Sequence, residues 1–125
     1  MKIGALAEIF EGENRVAMTP DSALQLQKLG HVCCIQAGAG TKAGFTDDAY
    51  AAAGVEVLKT AKAVVDAADV LVKVRGPEEK EAKLLRAGQT LISFFWPAQN
   101  EALLKLVAER GATVVAMDMV PRISR

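Results

Sequence analysis

The stretch QTLISFFWPAQNEALLKLVAERGATVVAMDMV, residues 89–120, contains the pattern that decides the fold. Its beginning, Gln89–Trp96, and its end, Ala112–Val120, are short and nearly continuous apolar runs. Between them, Asn100 is a suitable N-cap for a helix that Gly111 ends. Two apolar strands joined by one helix are typical of a parallel β-α-β unit whose strands are buried on both faces.

The same alternation of strand and helix extends back to the first residue. The other predicted strands are Lys2–Glu8, His31–Ala37, Val55–Leu58 and Asp69–Arg75. The other predicted helices begin at Thr19, Thr46, Thr60 and Pro77 and end near Gly30, Gly54, Ala68 and Gly88. Six short strands alternating with helices predict an α/β protein with a doubly wound, mostly parallel sheet, a Rossmann-like or flavodoxin-like three-layer sandwich.

Composition and charge exclude several classes of protein. The 125 residues are 51% hydrophobic, which suffices for a core, and show no repeat or linker, so we expect one domain. Fifteen basic residues balance fifteen acidic ones, which argues against a nucleic-acid surface. No apolar run is long enough to cross a bilayer, and the first residues lack a signal-peptide pattern. Cys33 and Cys34 are adjacent in a strand, and we expect both to be buried free thiols.

Parallel α/β folds bind ligands outside the carboxyl ends of their strands. In this chain that rule selects the loop with Arg15, the turn Gly38–Gly44, Lys73 with Arg75, the segment Trp96–Gln99, and Arg122. The rule predicts positions and leaves the chemistry open. We find no metal-ligand spacing and no Ser/His/Asp arrangement, and the single histidine, His31, opens a strand, where an edge position is expected.

Two cations in this set could converge on a small anion such as a carboxylate. Lys73 interrupts the apolar run of its strand, where a lysine is unfavourable unless it is paired or emerges at an edge. Arg15 would approach from the first loop. The alternative for Lys73 is a lysine that extends its ammonium group to solvent at the end of the strand.

The glycine-rich turn Gly38–Gly44 admits two interpretations. It lies between a strand and a helix, as a dinucleotide-binding turn would, but its spacing is G-x-G-x-x-x-G instead of G-x-G-x-x-G. The next helix has its own cap at Thr46, too late to direct its N-terminus at a phosphate in the turn. The pattern therefore favours a structural turn.

Four segments together resemble one known superfamily. Gly12–Pro20 (GENRVAMTP) resembles the N-terminal signature shared by alanine dehydrogenases and the α subunit of proton-translocating nicotinamide nucleotide transhydrogenase. Val72–Val74 followed by Pro77 resembles the strand that bears the active-site lysine of this superfamily. The segments Ser93–Asn100 (SFFWPAQN) and Met117–Arg125 (MDMVPRISR) resemble the transhydrogenase branch.

The resemblance implies a function and a set of cleft residues. Alanine dehydrogenases have a catalytic, substrate-binding histidine where this chain has Trp96, and an indole cannot exchange protons near neutral pH. In transhydrogenases the segment that begins at Pro121 starts a mobile loop that covers the nicotinamide nucleotide. The implied cofactor contacts are Arg122, Ile123, Ser124 and Arg125, and further cleft residues are Arg15, Lys73, Trp96 and Gln99.

By the same resemblance, the parent protein transfers hydride between NADH and NADP⁺ and couples this to proton translocation. The implied cofactor here is NAD(H), with NADP(H) on another component, and neither a catalytic side chain nor a metal is implied. Residues 1–125 would be an N-terminal subdomain that ends inside its active-site loop, before the NAD-binding Rossmann domain. Implied partners are a second copy, that missing domain, and the NADP(H)-binding and membrane-spanning components at the cytoplasmic side of a bacterial inner membrane, with this fragment itself soluble.

Two other functions are weighed against this one. An alanine-dehydrogenase-like amino-acid oxidoreductase would use Arg15 and Lys73 on the substrate carboxylate, and Trp96 is the residue that argues against it. A phosphoacceptor receiver module needs an acidic pair after the first strand and an aspartate after the third. Glu8 stands alone after the first predicted strand, and the third ends at Leu58 and Lys59, so the receiver is disfavoured.

Overall fold

The computed structural model describes residues 1–8, 12–75, 79–94 and 101–116. Its six strands are β1 (Lys2–Ala5), β2 (Val32–Gln36), β3 (Glu56–Leu58), β4 (Val70–Arg75), β5 (Thr90–Phe94) and β6 (Thr113–Ala116). Its helices are α1 (Pro20–Lys28), α2 (Asp47–Ala52), α3 (Ala61–Ala67), α4 (Glu79–Ala82) and α5 (Glu101–Glu109). A short 3₁₀ turn, Thr41–Ala43, lies between β2 and α2.

The six strands form one sheet in the order β3-β2-β1-β4-β5-β6. Every pair of neighbours is parallel, so the predicted doubly wound sheet is confirmed. The direction in which successive strands are added reverses at β1. The chain first adds β2 and β3 on one side of β1 and then adds β4, β5 and β6 on its other side. All six carboxyl ends lie at one edge of the sheet, which is called the carboxyl edge below.

The helices cover the two faces of the sheet unequally. On one face, buried side chains of β4 and β5 join those of α3, α4 and α5 in one core. On the other face, side chains of β1 and β2 pack with α1 and α2 in a second core centred on Tyr50 and Ile35. Gly4 in β1 permits the close approach of α3, because a Cβ there would lie 2.7 Å from Val64 and 2.9 Å from Ala68.

The helix starts follow from the capping residues that the sequence predicts. The side chains of Thr19, Thr46 and Thr60 accept hydrogen bonds from the backbone N–H groups of Ser22, Ala49 and Ala63, respectively. These bonds satisfy N–H groups that have no partner within the first helical turn. Gly30 follows α1 with φ of 96°, the left-handed conformation that a helix stop requires.

Two predicted boundaries are wrong for identifiable reasons. β1 ends at Ala5 and not at Glu8, because the N–H of Ala7 donates to the side-chain oxygen of Gln36 in β2 instead of a backbone carbonyl of that strand. The helix predicted to end at Gly88 ends at Ala82 in α4, and its predicted start at Pro77 lies outside the described residues. After Ala82 the backbone forms a 3₁₀-type turn, in which the N–H groups of residues 84 and 85 donate to carbonyls three residues earlier.

Candidate functional site

Lys73 is buried at the carboxyl end of β4 between two carboxylates. Its ammonium nitrogen lies 3.1 Å from Oε2 of Glu81 in α4 and 3.5 Å from Oε1 of Glu8, which follows β1. The three side chains are 1%, 6% and 2% exposed. The expectation that Lys73 reaches solvent at the strand end is therefore wrong, because its charge is balanced inside the protein and needs no water.

A β-bulge in β4 accompanies this cluster. Val72 pairs with Ile92 of β5 and Arg75 pairs with Phe94, so Lys73 and Val74 together lie opposite the single residue Ser93. The N–H of Val74 donates to Oε2 of Glu8 at 3.0 Å. One carboxylate thus holds both the bulged backbone and the lysine beside it. Bulges of this kind often lie next to functional sites, where they redirect a side chain.

Ser93 carries a buried hydroxyl for which the described residues supply no hydrogen-bond partner. It is 1% exposed and lies directly opposite the bulge. Strand alternation puts it on the same face as Leu91, which belongs to the core with α3, α4 and α5.

Arg15 lies in the loop between β1 and α1 and is held by Glu13. Its backbone N–H and its Nε donate to Oε2 of Glu13 at 3.0 Å and 2.9 Å, and one Nη donates to Oε1 at 2.9 Å. Glu13 is buried, whereas the Arg15 side chain is 65% exposed. These bonds and the attraction of Glu13 raise the pKa of Arg15, and the charge of Glu8 raises it further.

The predicted convergence of Arg15 and Lys73 can now be described in structural terms. Lys73 is paired with Glu8 and Glu81, whereas Arg15 is paired with Glu13, so each cation has carboxylate partners of its own. Arg15 keeps its second Nη group free of Glu13 and faces solvent. Lys73 is enclosed. Binding of an anion by either residue stays a prediction.

The glycine-rich turn after β2 has internal partners. The N–H of Gly38 donates to Oδ1 of Asp47 at 2.8 Å, which puts a carboxylate where a phosphate would need to bind. A Cβ on Gly40 would lie 2.6 Å from the ring of Tyr50, whose hydroxyl donates to the carbonyl of Met18 at 2.6 Å. The glycines therefore serve packing and turn geometry, as the spacing predicts.

Other predictions have a mixed outcome. Cys33 and Cys34 are buried free thiols, as expected, and burial raises the pKa of Cys34 to about 11. His31 is half-buried just before β2, with no described partner for its Nδ1. Trp96, Gln99 and the segment Arg122, Ile123, Ser124 and Arg125 lie outside the described residues.

Sequence reasoning missed the acidic members of this site. Glu13 and Glu81 were not singled out, and Glu8 was considered only as one member of the acidic pair that a receiver module needs. A signal for them existed, because a lysine inside an apolar strand needs buried carboxylates nearby. Their identity depends on which loops and helices the sheet brings together.

Neither a metal site nor a membrane span is present in the described ranges. No group of three or more potential ligand side chains (His, Cys, Asp or Glu) is suitably placed there for a metal ion. Within the same ranges, no helix has the length and apolar character that crossing a membrane requires.

Comparison with known proteins extends over nearly the whole chain. The chain is 77% identical over 125 residues to NAD(P) transhydrogenase subunit alpha of Cereibacter sphaeroides, covering 100% of this chain and 24% of that protein. It is 38% identical over 120 residues to alanine dehydrogenase of Methanococcus maripaludis, covering 96% of this chain and 32% of that protein. The fold matches the solved structure of a transhydrogenase from Sinorhizobium meliloti with a TM-score of 0.93 and 33% identity, covering 99% of this chain and 37% of that one.

The family follows from these matches together with a family profile. The chain spans about a quarter of the length of its transhydrogenase relative from Cereibacter sphaeroides. The profile described as "Alanine dehydrogenase/PNT, N-terminal domain" matches residues 4–125. The protein therefore belongs to the alanine dehydrogenase/PNT N-terminal domain family.

Proposed function

We propose that this chain is the N-terminal domain of an NAD(P) transhydrogenase α subunit and that its carboxyl edge forms one wall of an NAD(H)-binding cleft. The observation that carries the proposal is the 77% identity to a transhydrogenase α subunit over the full length of the chain. Alanine dehydrogenase relatives match at about half that identity, 38%. The alanine-dehydrogenase alternative is correspondingly less supported.

The carboxyl edge has the properties that such a wall needs. Arg15 is fixed in direction by Glu13 and still offers N–H groups to solvent, which suits a phosphate, ribose or carboxamide oxygen. Lys73 and its two carboxylates lie beneath the edge and hold the bulged end of β4 in place. We assign Arg15 to ligand contact and Lys73 to positioning.

The bound nicotinamide would supply the hydride chemistry, and the protein would supply orientation and exclusion of water. Direct hydride transfer needs no general base, so the proposal assigns no catalytic side chain to this edge. Trp96, Gln99 and Arg122–Arg125 would complete the wall, as the family resemblance implies. Arg122 is the foremost of these candidates.

The remaining parts of the proposal concern the whole protein. The chain would be followed by an NAD-binding Rossmann domain, and the subunit would form a homodimer. It would act with an NADP(H)-binding component and a membrane-spanning component at the cytoplasmic side of a bacterial inner membrane. Proton translocation would belong to that complete assembly.

The test compares two reactions of one full-length subunit that carries this domain. With the NADP(H)-binding component added, we expect hydride transfer from NADH to an NADP⁺ analogue, followed by its absorbance. With L-alanine and NAD⁺, we expect no NADH formation. Rapid alanine oxidation without transhydrogenation would replace the proposal with the amino-acid oxidoreductase, and failure of calorimetry to detect NADH binding would contradict both.

A further inference from the structure

Glu8 follows β1 at the carboxyl edge and replaces a backbone acceptor of the sheet. The N–H of Leu6 donates to the carbonyl of Val72 in β4 at 3.4 Å. In a regular parallel pair, the carbonyl of Leu6 would in turn accept from the N–H two residues further along β4, that of Val74. That N–H instead donates to Oε2 of Glu8 at 3.0 Å. The side chain of Glu8 therefore makes the last bond between the two strands.

This bond accompanies the bulge in β4. The bulge inserts one extra residue into β4 relative to β5, and such an insertion disrupts regular backbone pairing. A buried N–H that loses its strand partner is unfavourable unless another acceptor is supplied. Val74 is buried, and the carboxylate of Glu8 is the acceptor that its N–H finds. The bulged end of β4 thus depends on a side chain from the segment after β1.

The two bonds of Glu8 require a carboxylate. Its Oε2 accepts from Val74, while its Oε1 lies 3.5 Å from the ammonium nitrogen of Lys73. An amide of the same shape has one acceptor oxygen, so its NH₂ group would face a donor whichever way it is turned. Lys73 has a second carboxylate partner in Glu81 at 3.1 Å. The bond to Val74 is therefore the contribution that distinguishes Glu8 from Glu81.

We propose that Glu8 is a positioning residue of the cleft wall, which holds the end of β4 in the bulged form that NADH binding requires. The proposal rests on the assignment of the carboxyl edge to an NAD(H) cleft and deepens it. Glu8 also begins the connection that leads to Arg15, so it joins the end of β4 to the loop after β1. The side chains of Glu8 and Lys73 are enclosed, so they would shape the wall without touching the nucleotide.

The experiment uses a second substitution to restore what the first removes. In a full-length subunit, Glu8→Gln leaves an amide between two donors, the N–H of Val74 and the ammonium group of Lys73. In Glu8→Gln/Lys73→Met the ammonium group is gone, so the amide oxygen can accept from Val74. In Glu8→Leu/Lys73→Met a side chain of similar size offers no acceptor. The two double variants carry the same charges and differ in the acceptor for Val74.

NADH affinity, measured by calorimetry, is the first readout. We expect Glu8→Gln and Glu8→Leu/Lys73→Met to bind NADH about tenfold more weakly than the wild type, because the wall is displaced. Glu8→Gln/Lys73→Met should return close to the wild-type affinity. Asp66→Asn, at an exposed carboxylate on α3, is the control that should bind normally. Equal affinities of the two double variants would overturn the proposal. Failure of Lys73→Met to rescue Glu8→Gln would also overturn it, in favour of direct ligand contact by Lys73.

Amide hydrogen exchange is the second readout, and it uses no nucleotide. The exchange rate of the Val74 amide is divided by that of Val72, which pairs regularly with Ala5 of β1. Global unfolding exposes both amides together, so a merely destabilised variant leaves this ratio unchanged. The ratio should rise in Glu8→Gln and in Glu8→Leu/Lys73→Met and return in Glu8→Gln/Lys73→Met. An unchanged ratio in all three would contradict the role of Glu8, whereas a wild type that binds no NADH would contradict the proposed function itself.

Discussion

Lys73 combines a buried positive charge with two buried carboxylates, and its replacement tests how the three depend on one another. In Lys73→Met, the carboxylates of Glu8 and Glu81 lose the ammonium group that lies 3.5 Å and 3.1 Å from them. Removal of one partner from a buried ion pair costs about 3–5 kcal/mol. We expect a loss of that size in the free energy of unfolding, measured by urea denaturation.

Lys62→Met is the control for this prediction. Lys62 forms an ion pair with Asp66 at 2.8 Å, but the two side chains are 70% and 50% exposed. Exposed pairs of this type on a helix contribute about 0.3–0.5 kcal/mol. Similar losses for Lys62→Met and Lys73→Met would show that the buried cluster does not stabilise the fold.

Arg122 is the residue on which the proposed cofactor site depends most. Pro121 restricts the backbone just before it, and its guanidinium offers several donors in one plane. In the full-length subunit, Arg122→Ala should weaken NADH binding or slow hydride transfer at least tenfold, about 1.4 kcal/mol. Calorimetry and steady-state kinetics measure these effects. Lys28→Ala, at an exposed cation in the last turn of α1 near the opposite edge of the sheet, should leave both unchanged. Normal binding and turnover in Arg122→Ala would make Arg122 a bystander.

The site was only partly predictable at the scale of single residues. The carboxyl-edge rule selected the loop with Arg15 and the strand end with Lys73 from strand order alone, and ligand binding at either residue stays a prediction. It did not reveal that Glu8 pairs with Lys73, since that depends on β1 and β4 being neighbours. The bulge opposite Ser93 left no mark in the sequence, because it depends on the register of two strands.

At the scale of elements, the turn after β2 packs closely against α2, because the backbone of Gly40 lies directly beside the ring of Tyr50. Gly40→Ala would place a Cβ 2.6 Å from both the ring and the hydroxyl of Tyr50, which is fully buried. We expect a loss of roughly 1–3 kcal/mol, as for other overpacked core positions, measured by chemical denaturation. Tyr50→Phe removes the hydroxyl, so the double variant should lose less than the sum of the two single variants. Strict additivity would contradict this contact.

Strand β2 makes the stability depend on pH in the alkaline range. Burial raises the pKa of Cys34 from 9 to about 11, so the folded protein holds this thiol proton more tightly than the unfolded chain. The resulting stabilisation is complete below pH 9 and is lost as the pH rises through 11. Denaturation midpoints of the wild type and of Cys34→Ala over this range test it. The variant should lose less stability with rising pH, and parallel profiles would contradict the assignment.

The helices and strands themselves were largely predictable from capping and turn-forming residues and from the periodicity of hydrophobic residues. Thr19, Thr46 and Thr60 each begin a helix because a hydroxyl in that position satisfies a free N–H group, which is a local effect. The end of α4 was not predictable in this way. The segment after Ala82 is held by contacts with another element, because the side chain of Gln89 donates to the carbonyls of Val65 and Ala68 at the C-terminal end of α3.

At the scale of the whole molecule, we predict that the 125-residue chain folds alone but does not catalyse hydride transfer. It contains all six strands, and a domain of about this size buries roughly two thirds of its unfolded surface. It would still present only one wall of a cleft, which is too little to fix a nicotinamide for reaction. Circular dichroism should show a cooperative melting transition, and transhydrogenation assays should show no turnover. Activity in the pure fragment, or a melt without cooperativity, would contradict the respective part.

The central position of β1 also determines the order in which the sheet can assemble. On one side of β1, Lys2 pairs with Val32 of β2. On the other side, which β4 covers, the backbone N–H of Lys2 donates to the carboxylate of Asp69, 67 positions along the chain. The loss of chain entropy on closing a loop grows with the length of that loop. Pairing of β1 with β4 therefore costs more loop-closure entropy than pairing of β1 with β2. The half-sheet β1-β2-β3 can form before it, with one edge of β1 unpaired until β4 arrives.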